Sequence, residues 1–311
     1  GMQTNALSAS TTSAMRVVNR DLDSLFRVFG NDGYETSFYH PGDNWFYNRE
    51  NVYRWFGAEE TRFVGDMENP EYKGRWVTDD YAAGLIEDAF EQAEGPLFHF
   101  TTTIQNHMSY TADKYGPDYA FPPTGISGLS AEVETLLSVY VEGLRDADAM
   151  LGRLWRYFDA REEPVVLVYW GDHLPYLGND MLGYKQLGLD VAPGPEGQEN
   201  LTAYKTPFVI WANAAAAEAL DWENAAEALD LPETVSACFL GAAVLELTGR
   251  GGESPWFSFL NQLRRELPVV QKNVYQLAGG SLTGEPGPEQ QDLLRKWRRW
   301  SYYKLQYKEL P

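Results

Sequence analysis

A carboxylate and an imidazole stand side by side where an apolar segment of the sequence ends. The segment "VVLVYW" is typical of a buried β-strand, and "GDHLP" follows it, with Asp172 and His173 as neighbours. A carboxylate oxygen and an imidazole nitrogen are ligands that Zn²⁺ and Mn²⁺ accept. The same pair also fits an N-capping Asp beside a loop His. The pair therefore predicts a metal site only if further polar residues join it.

Three of the four histidines fall at the ends of predicted strands. His173 follows the strand just described, His107 follows "PLFHFTTTI", and His40 ends "YETSFYH". In open α/β sheets, ligands bind at the carboxyl ends of the strands. The fourth, His99, lies inside a strand, and we expect it to be a hydrogen-bonded core residue. The positions of the other three favour a shared site.

The elements that must position these residues alternate along the chain. Apolar, β-branched runs predict strands at 34–40, 96–104, 164–170 and 206–213. Helical spacing of apolar residues predicts helices at 78–93, from about Ala131 to Asp159, and at about 233–248, 255–266 and 288–305. This alternation predicts an α/β fold with a mainly parallel central sheet covered by helices on both faces.

The longest predicted helix carries one wide apolar stripe, formed by Val133, Leu136, Leu137, Tyr140, Val141, Leu144, Leu151, Leu154, Trp155 and Phe158. We expect residues 1–230 to form the α/β core. Residues 231–311 are expected to form a helical extension or small subdomain packed on it.

The composition limits the classes of partner. The chain has 311 residues, and 45 acidic against 25 basic side chains give a net charge of −20, which disfavours binding to nucleic acids. Its single cysteine, Cys238, excludes an internal disulfide and a multi-cysteine metal site, and its apolar neighbours predict a buried thiol. The sequence has no apolar run long enough to span a bilayer, and "GMQTNALSAS" lacks the features of a signal peptide.

Three segments carry a resemblance to a known family. In chain order they are "HPGDNWFYNRENVYRWFG", "TTTIQNHMSY" and "VVLVYWGDHLP". They resemble signatures of the lipoteichoic acid synthase and phosphoglycerol transferase group of the sulfatase and alkaline-phosphatase superfamily. The C-terminal "LPVVQKNVY" and "YYKLQYKEL" are similar to the tail of these enzymes, so the resemblance extends from about Gly33 to the end.

The resemblance implies a fold and an activity. The fold is that of the superfamily, with a small C-terminal subdomain. The activity is metal-dependent transfer of phosphoglycerol from a phosphatidylglycerol-type lipid to a glycolipid or polymer acceptor, in the synthesis of a lipoteichoic-acid-like polymer. Such enzymes act at the extracellular face of the bacterial membrane. The resemblance therefore also implies a membrane tether in a longer protein.

The resemblance assigns a metal site and a threonine nucleophile. Asp172 and His173 match the family's ligands for a divalent cation, with Mn²⁺ foremost and Zn²⁺ or Mg²⁺ as alternatives. Thr4, in "GMQTNA", matches the nucleophile that also contacts the metal, although "LSASTTSA" replaces the Glu-Phe pair expected after it. The alternatives are Ser8, Thr11 and Thr12. The family's further Glu ligand has no counterpart, which predicts a weakened or empty metal site and low activity.

Four more residues match the family's substrate-binding positions. His107 matches the histidine that contacts the phosphate, and Arg49 matches the arginine that holds the phosphoglycerol group. Tyr47 stands where the family has Trp, and His40 matches the histidine at the strand end. Binding of a phosphodiester anion requires such charged and hydrogen-bonding groups to stabilise the negative charge of its transition state.

Two other readings of the sequence remain open. A hydrolase of the same fold would pass the phosphate or phosphodiester to water. A non-catalytic binding module would keep the fold without the chemistry, and the poor match around Thr4 favours it. Sulfate-ester hydrolysis is disfavoured, because the sequence has no Cys/Ser-x-Pro-x-Arg motif.

Overall fold

The computed structural model describes residues 14–191, 201–271 and 274–306. The nucleophile candidates Thr4, Ser8, Thr11 and Thr12 lie outside these residues. The helices are α1 (Leu25–Asn31), α2 (Arg49–Phe56), α3 (Asp79–Gln92), α4 (Ala131–Asp159), α5 (Leu182–Gln186), α6 (Ala214–Ala219), α7 (Trp222–Leu229), α8 (Leu240–Leu247), α9 (Pro255–Glu266) and α10 (Pro288–Gln306). The strands are β1 (Glu35–His40), β2 (Glu60–Phe63), β3 (Tyr72–Lys73), β4 (Trp76–Val77), β5 (Leu97–Thr101), β6 (Val166–Trp170), β7 (Phe208–Ala212), β8 (Val269–Gln271), β9 (Val274–Gln276) and β10 (Leu282–Thr283).

A parallel sheet carries the first part of the predicted site. Its order is β2-β1-β5, and Phe38 at the centre of β1 pairs with Thr61 on one side and Phe100 on the other. Phe38 is fully buried, and its ring packs against Phe63 and against Tyr53 of α2. The predicted α/β architecture with a parallel sheet is confirmed. His40 is the last residue of β1, and His107 lies in the loop after β5.

Strands β6 and β7 form a separate antiparallel pair, with Val168 opposite Ile210. The apolar pattern of 206–213 predicted the strand, while its direction differs from that of the parallel sheet. The chain enters β7 beside the end of β6, where the Gly171 amide donates to the Pro207 carbonyl at 3.1 Å and the Thr206 hydroxyl donates to the Gly171 carbonyl at 2.8 Å. Because the end of β6 lies beside the start of β7, the two strands run in opposite directions.

Helix α4 has the predicted bounds, and the Ser130 side chain caps its first turn. Its apolar stripe is buried only in part, and the side chains of Leu144 and Trp155 are exposed. The reason is a change of partner along the helix. The first half packs against the segment that contains Leu177 and Tyr184, and the second half packs against α3 and the β6–β7 pair. The two buried faces are therefore separate rather than one continuous stripe.

The C-terminal helices share a core with the N-terminal part of the chain. Phe29 of α1, Phe239, Leu260 of α9 and Trp297 of α10 belong to one buried cluster, and Phe98 of β5 packs against it. Each such side chain contributes about 1.5–3 kcal/mol through burial. The predicted boundary near residue 230 stays a prediction.

Two further expectations concern single residues and membrane spans. Cys238 is buried, as predicted. In the three described ranges, no helix combines the length and the apolar character that crossing a membrane requires.

Candidate active site

Asp172 and His173 lie directly after β6 with exposed side chains, at 83% and 72% of their full accessibility. The His173 Nδ1 donates to the Leu174 carbonyl at 2.8 Å, which leaves the lone pair of Nε2 free. This Nε2 lies 3.4 Å from Asp172 Oδ2, and Asp172 Oδ1 accepts from the His173 amide at 2.9 Å. Neither side chain is committed to a buried partner, so both are available to a ligand.

The geometry of this pair fits a shared cation. Ligand atoms about 2.1 Å from one tetrahedral ion lie about 3.4 Å apart, which matches the observed Oδ2–Nε2 separation. A metal-binding histidine also commonly donates its other ring N–H to a backbone carbonyl, as His173 does. Within the described part of the chain, no group of three or more His, Cys, Asp or Glu side chains is placed to hold a metal. Asp172 and His173 therefore supply two donors, and further ligands must come from elsewhere.

Arg49 begins helix α2 after a strained turn. Tyr47 and Asn48 both adopt the left-handed backbone region, with φ of 58° and 56°. For residues other than glycine this costs on the order of 1–3 kcal/mol each, and such strain is typical of functional sites. The turn places the Arg49 guanidinium over the rings of Phe46 and Tyr47, at 5.5 and 5.3 Å from their centroids. No carboxylate of the described residues pairs with Arg49, so its charge is available to an anion.

His40 is 1% exposed at the end of β1. Its Nδ1 donates to the Thr102 carbonyl at 2.7 Å, and its buried Nε2 has no hydrogen-bond partner. Burial lowers the pKa of His40 to about 4, so the ring is neutral near pH 7. A Cβ at Gly42 would lie 2.5 Å from this Nε2, so only glycine fits there. The Nε2 lone pair of His40 therefore faces packed protein, and in this conformation it is not accessible to a ligand.

His107 is exposed on the loop after β5, with Nδ1 hydrogen-bonded to the Met108 carbonyl at 2.8 Å. The side chain of Lys114 anchors this loop, because its Nζ donates to the His107 carbonyl. Lys114 is buried, and its Nζ lies 4.7 Å from the centre of Trp76 and 5.5 Å from that of Tyr110. Burial lowers the pKa of Lys114 to about 8. Sequence reasoning missed this lysine, because a single Lys in a loop gives no signal of burial.

Electrostatic and ring contacts connect the candidates. Burial is the main cause that lowers the pKa of His40, and the hydrogen bond to the Thr102 carbonyl acts in the opposite direction. Arg49 and, to a smaller extent, His107 lower this pKa further. The ring of Trp170 at the end of β6 stacks on Phe100 of β5 with centroids 5.6 Å apart. Strand β6 therefore packs against the parallel sheet through Trp170, while a site shared by the three histidines stays a prediction.

Tyr110 interacts electrostatically with Asp172 and through a hydrogen bond with the segment that contains His107. Burial, with tyrosine neighbours and the charge of Asp172 as smaller causes, raises the pKa of Tyr110. The Tyr110 hydroxyl donates to the Asn106 carbonyl at 3.1 Å, directly before His107. His99, by contrast, binds Ser37 at 2.8 Å and Thr101 at 2.6 Å through its two ring nitrogens, in agreement with a structural role.

A buried acidic residue lies behind the His107 loop. Asp79, at the start of α3, is 2% exposed, and its Oδ1 has no hydrogen-bond partner. Its backbone amide donates to Gln105 Oε1 at 2.7 Å. Burial, together with the charge of Asp146, raises the pKa of Asp79 to about 7, although Lys73 and Lys114 act in the opposite direction. Asp79 therefore titrates near neutral pH.

The pKa of Asp79 predicts a pH-dependent stability. Between about pH 4 and 7 the folded protein holds a proton that the unfolded chain has lost, so the stability from this group is present at pH 4 and lost as pH rises through 7. Relative to the wild type, the free energy of unfolding of Asp79→Asn should therefore rise by about 2–4 kcal/mol between pH 4 and 8. Urea denaturation at several pH values measures this difference.

The neighbouring Asp80→Asn serves as the control. The Asp80 side chain is 70% exposed and paired with Arg153 at 2.9 Å, so its effect should stay below about 1 kcal/mol at every pH. An Asp79→Asn difference that stays constant from pH 4 to 8 would contradict the assignment.

Comparison with known proteins identifies related sequences. Residues 1–249 match the family profile described as Sulfatase. A putative cyclic beta-1,2-glucan modification protein of Rhizobium meliloti is 27% identical over 259 residues, which are 82% of this chain and 38% of that protein. The chain thus spans less than half the length of this curated relative.

Solved structures share the fold. Streptococcus pyogenes phosphoglycerol transferase GacH, in complex with sn-glycerol-1-phosphate, is 18% identical with a TM-score of 0.62, covering 87% of this chain and 61% of GacH. The lipoteichoic acid synthase LtaP of Listeria monocytogenes is 16% identical with a TM-score of 0.63, covering 95% of this chain and 76% of LtaP. At these identities the similarity concerns the fold alone. Together with the family match, it confirms the predicted resemblance.

Proposed function

The chain belongs to the sulfatase family, and from this membership we propose that it transfers a phosphoglycerol group from an anionic glycerophospholipid to a glycan acceptor of the bacterial cell envelope. The observation that carries the proposal is the exposed Asp172–His173 pair after β6, whose Oδ2–Nε2 separation of 3.4 Å fits a shared cation. The charge of Asp172 also acts on Tyr110, whose hydroxyl donates to the carbonyl of Asn106, directly before His107. The relative described as a glucan modification protein supports a glycan acceptor. We place the reaction at the outer face of the membrane.

Each of these side chains has a different proposed role. Asp172 and His173 would hold a divalent cation, Mn²⁺ first and Zn²⁺ or Mg²⁺ as alternatives. When bound, this ion supplies Lewis-acid stabilisation of the phosphate charge. Arg49 contributes a planar guanidinium that can bind two phosphate oxygens at once. Because Nδ1 of His107 is held by the Met108 carbonyl, Nε2 is the ring atom left to contact the phosphate.

Two groups complete the proposed substrate site. His40 stays a proposed substrate-side residue at the end of β1, but its Nε2 is buried beneath Gly42, so it would position this strand end beside Arg49 rather than contact the lipid in this conformation. Tyr47 lines the site beside Arg49. Thr4 remains the proposed nucleophile.

The test follows the glycerol phosphate group. The protein is incubated with Mn²⁺ and phosphatidylglycerol labelled in its head group, with and without an unsubstituted β-1,2-glucan. We expect label on the glucan, and loss of this product on addition of a chelator or in Asp172→Asn. Free glycerol phosphate with no labelled glucan would instead indicate the hydrolase. No cleavage of the lipid under any condition would favour the non-catalytic module and overturn the proposal.

A further inference from the structure

Two aromatic side chains stand exposed beside the phosphate-binding arginine. Trp45 is 69% exposed, more than any other large apolar side chain in the described ranges, and its neighbour Phe46 is 41% exposed. Their rings meet edge to face, with centroids 5.8 Å apart. Together they present an apolar surface to solvent on the turn before α2.

This surface is continuous with the proposed phosphate site. The Phe46 ring contacts Tyr47 at 4.4 Å and lies under the Arg49 guanidinium at 5.5 Å. The left-handed backbone of Tyr47 and Asn48 holds this arrangement in place. An uninterrupted row of rings therefore leads from the guanidinium to the exposed face of Trp45, and a molecule stacked there lies next to bound phosphate.

The surrounding polar groups indicate the chemistry of the occupant. Asp43 is exposed, and no cation of the described residues pairs with it. Asn44 is also exposed and donates at 2.8 Å to Glu50, a partly buried residue whose carboxylate is paired with Arg54 at 3.3 Å. Carboxylates and an amide beside a flat ring suit the hydroxyl groups and the apolar C–H face of a pyranose. The same carboxylates, in a chain of net charge −20, repel an anionic membrane surface.

We propose that Trp45 and Phe46 form a glycan subsite in which a sugar ring stacks on the indole while Asp43 accepts from its hydroxyl groups. Its role as the acceptor subsite rests on the proposed transferase function. The binding of a sugar does not depend on that function, so sugar binding and transferase activity can be tested separately. The proposal assigns specificity for the acceptor to a segment that adjoins, but does not include, Arg49.

The first experiment measures binding. Unsubstituted cyclic β-1,2-glucan is titrated into the protein by calorimetry, with saturation-transfer NMR for weak affinity. We expect Trp45→Ala to weaken binding by about tenfold and Trp45→Phe, which keeps a ring, by less. Trp155→Ala is the matched control, since Trp155 is an exposed indole on the second half of α4. Thermal melting checks that each variant is folded.

The outcomes separate this inference from the proposed function. Wild-type protein that does not bind the glucan, or Trp45→Ala that binds it equally well, would overturn the subsite. So would a Trp45→Ala variant that instead loses binding to phosphatidylglycerol vesicles, because the rings would then contact lipid. Glucan binding that depends on Trp45 in a protein that cleaves no lipid would support the subsite and refute the transferase.

Discussion

Replacing Asp172 by Asn is expected to lower the rate of phosphoglycerol transfer at least about 100-fold without unfolding the protein. The variant keeps the size of the side chain but removes the negative charge that would bind a cation. Folding is unaffected because the side chain is exposed and Oδ1 accepts only from the adjacent His173 amide. Initial rates at saturating Mn²⁺, together with Mn²⁺ titration by calorimetry, measure both consequences.

A control separates metal binding from general charge effects. Asp159→Asn removes another exposed carboxylate, at the C-terminal end of α4 before β6 begins, and should leave the rate and Mn²⁺ affinity unchanged. Wild-type Mn²⁺ affinity in the Asp172→Asn variant would show that Asp172 is not a ligand. The same titration of the wild-type protein measures the occupancy of the site directly.

Replacing Arg49 by Lys is expected to lower kcat/KM for the lipid donor by about 30- to 100-fold, which corresponds to about 2–3 kcal/mol. Lysine keeps the charge but cannot bind two phosphate oxygens with one planar group. It also loses the stacking of the guanidinium over Phe46 and Tyr47. Because the proposed contacts of Arg49 are to the phosphate before and during transfer, we expect KM to rise as well as kcat to fall.

The matched control lies one turn further along the same helix. Arg54 is exposed and paired with Glu50 at 3.3 Å, so Arg54→Lys should change kcat/KM less than about twofold. If Arg49→Lys and Arg54→Lys behave alike, Arg49 does not bind the substrate. Circular dichroism verifies that the half-buried Arg49 position tolerates lysine.

Local patterns in the sequence were sufficient to predict the longer helices and strands. Helix α4 and strands β5 and β6 were predicted because their apolar residues recur with helical spacing or form short continuous runs. Strand β2, which reads "ETRF", was missed because it is short and mostly polar. It is a strand through its parallel pairing with β1, which no local pattern encodes. The direction of β7 was equally hidden, since periodicity carries no information on strand orientation.

The residue types of the candidate site were readable from the sequence, because ligand chemistry belongs to the side chain itself. Asp172, His173 and His107 could be selected on their chemical identity and on positions after predicted strands, whereas Arg49 was selected because its segment resembles a family motif. The protonation state of His40, the burial of Lys114 and the exposure of Trp45 depend on what surrounds each group, and those neighbours come from distant parts of the chain. Burial and the local electric field arise only when these segments pack together, so tertiary structure alone decided them.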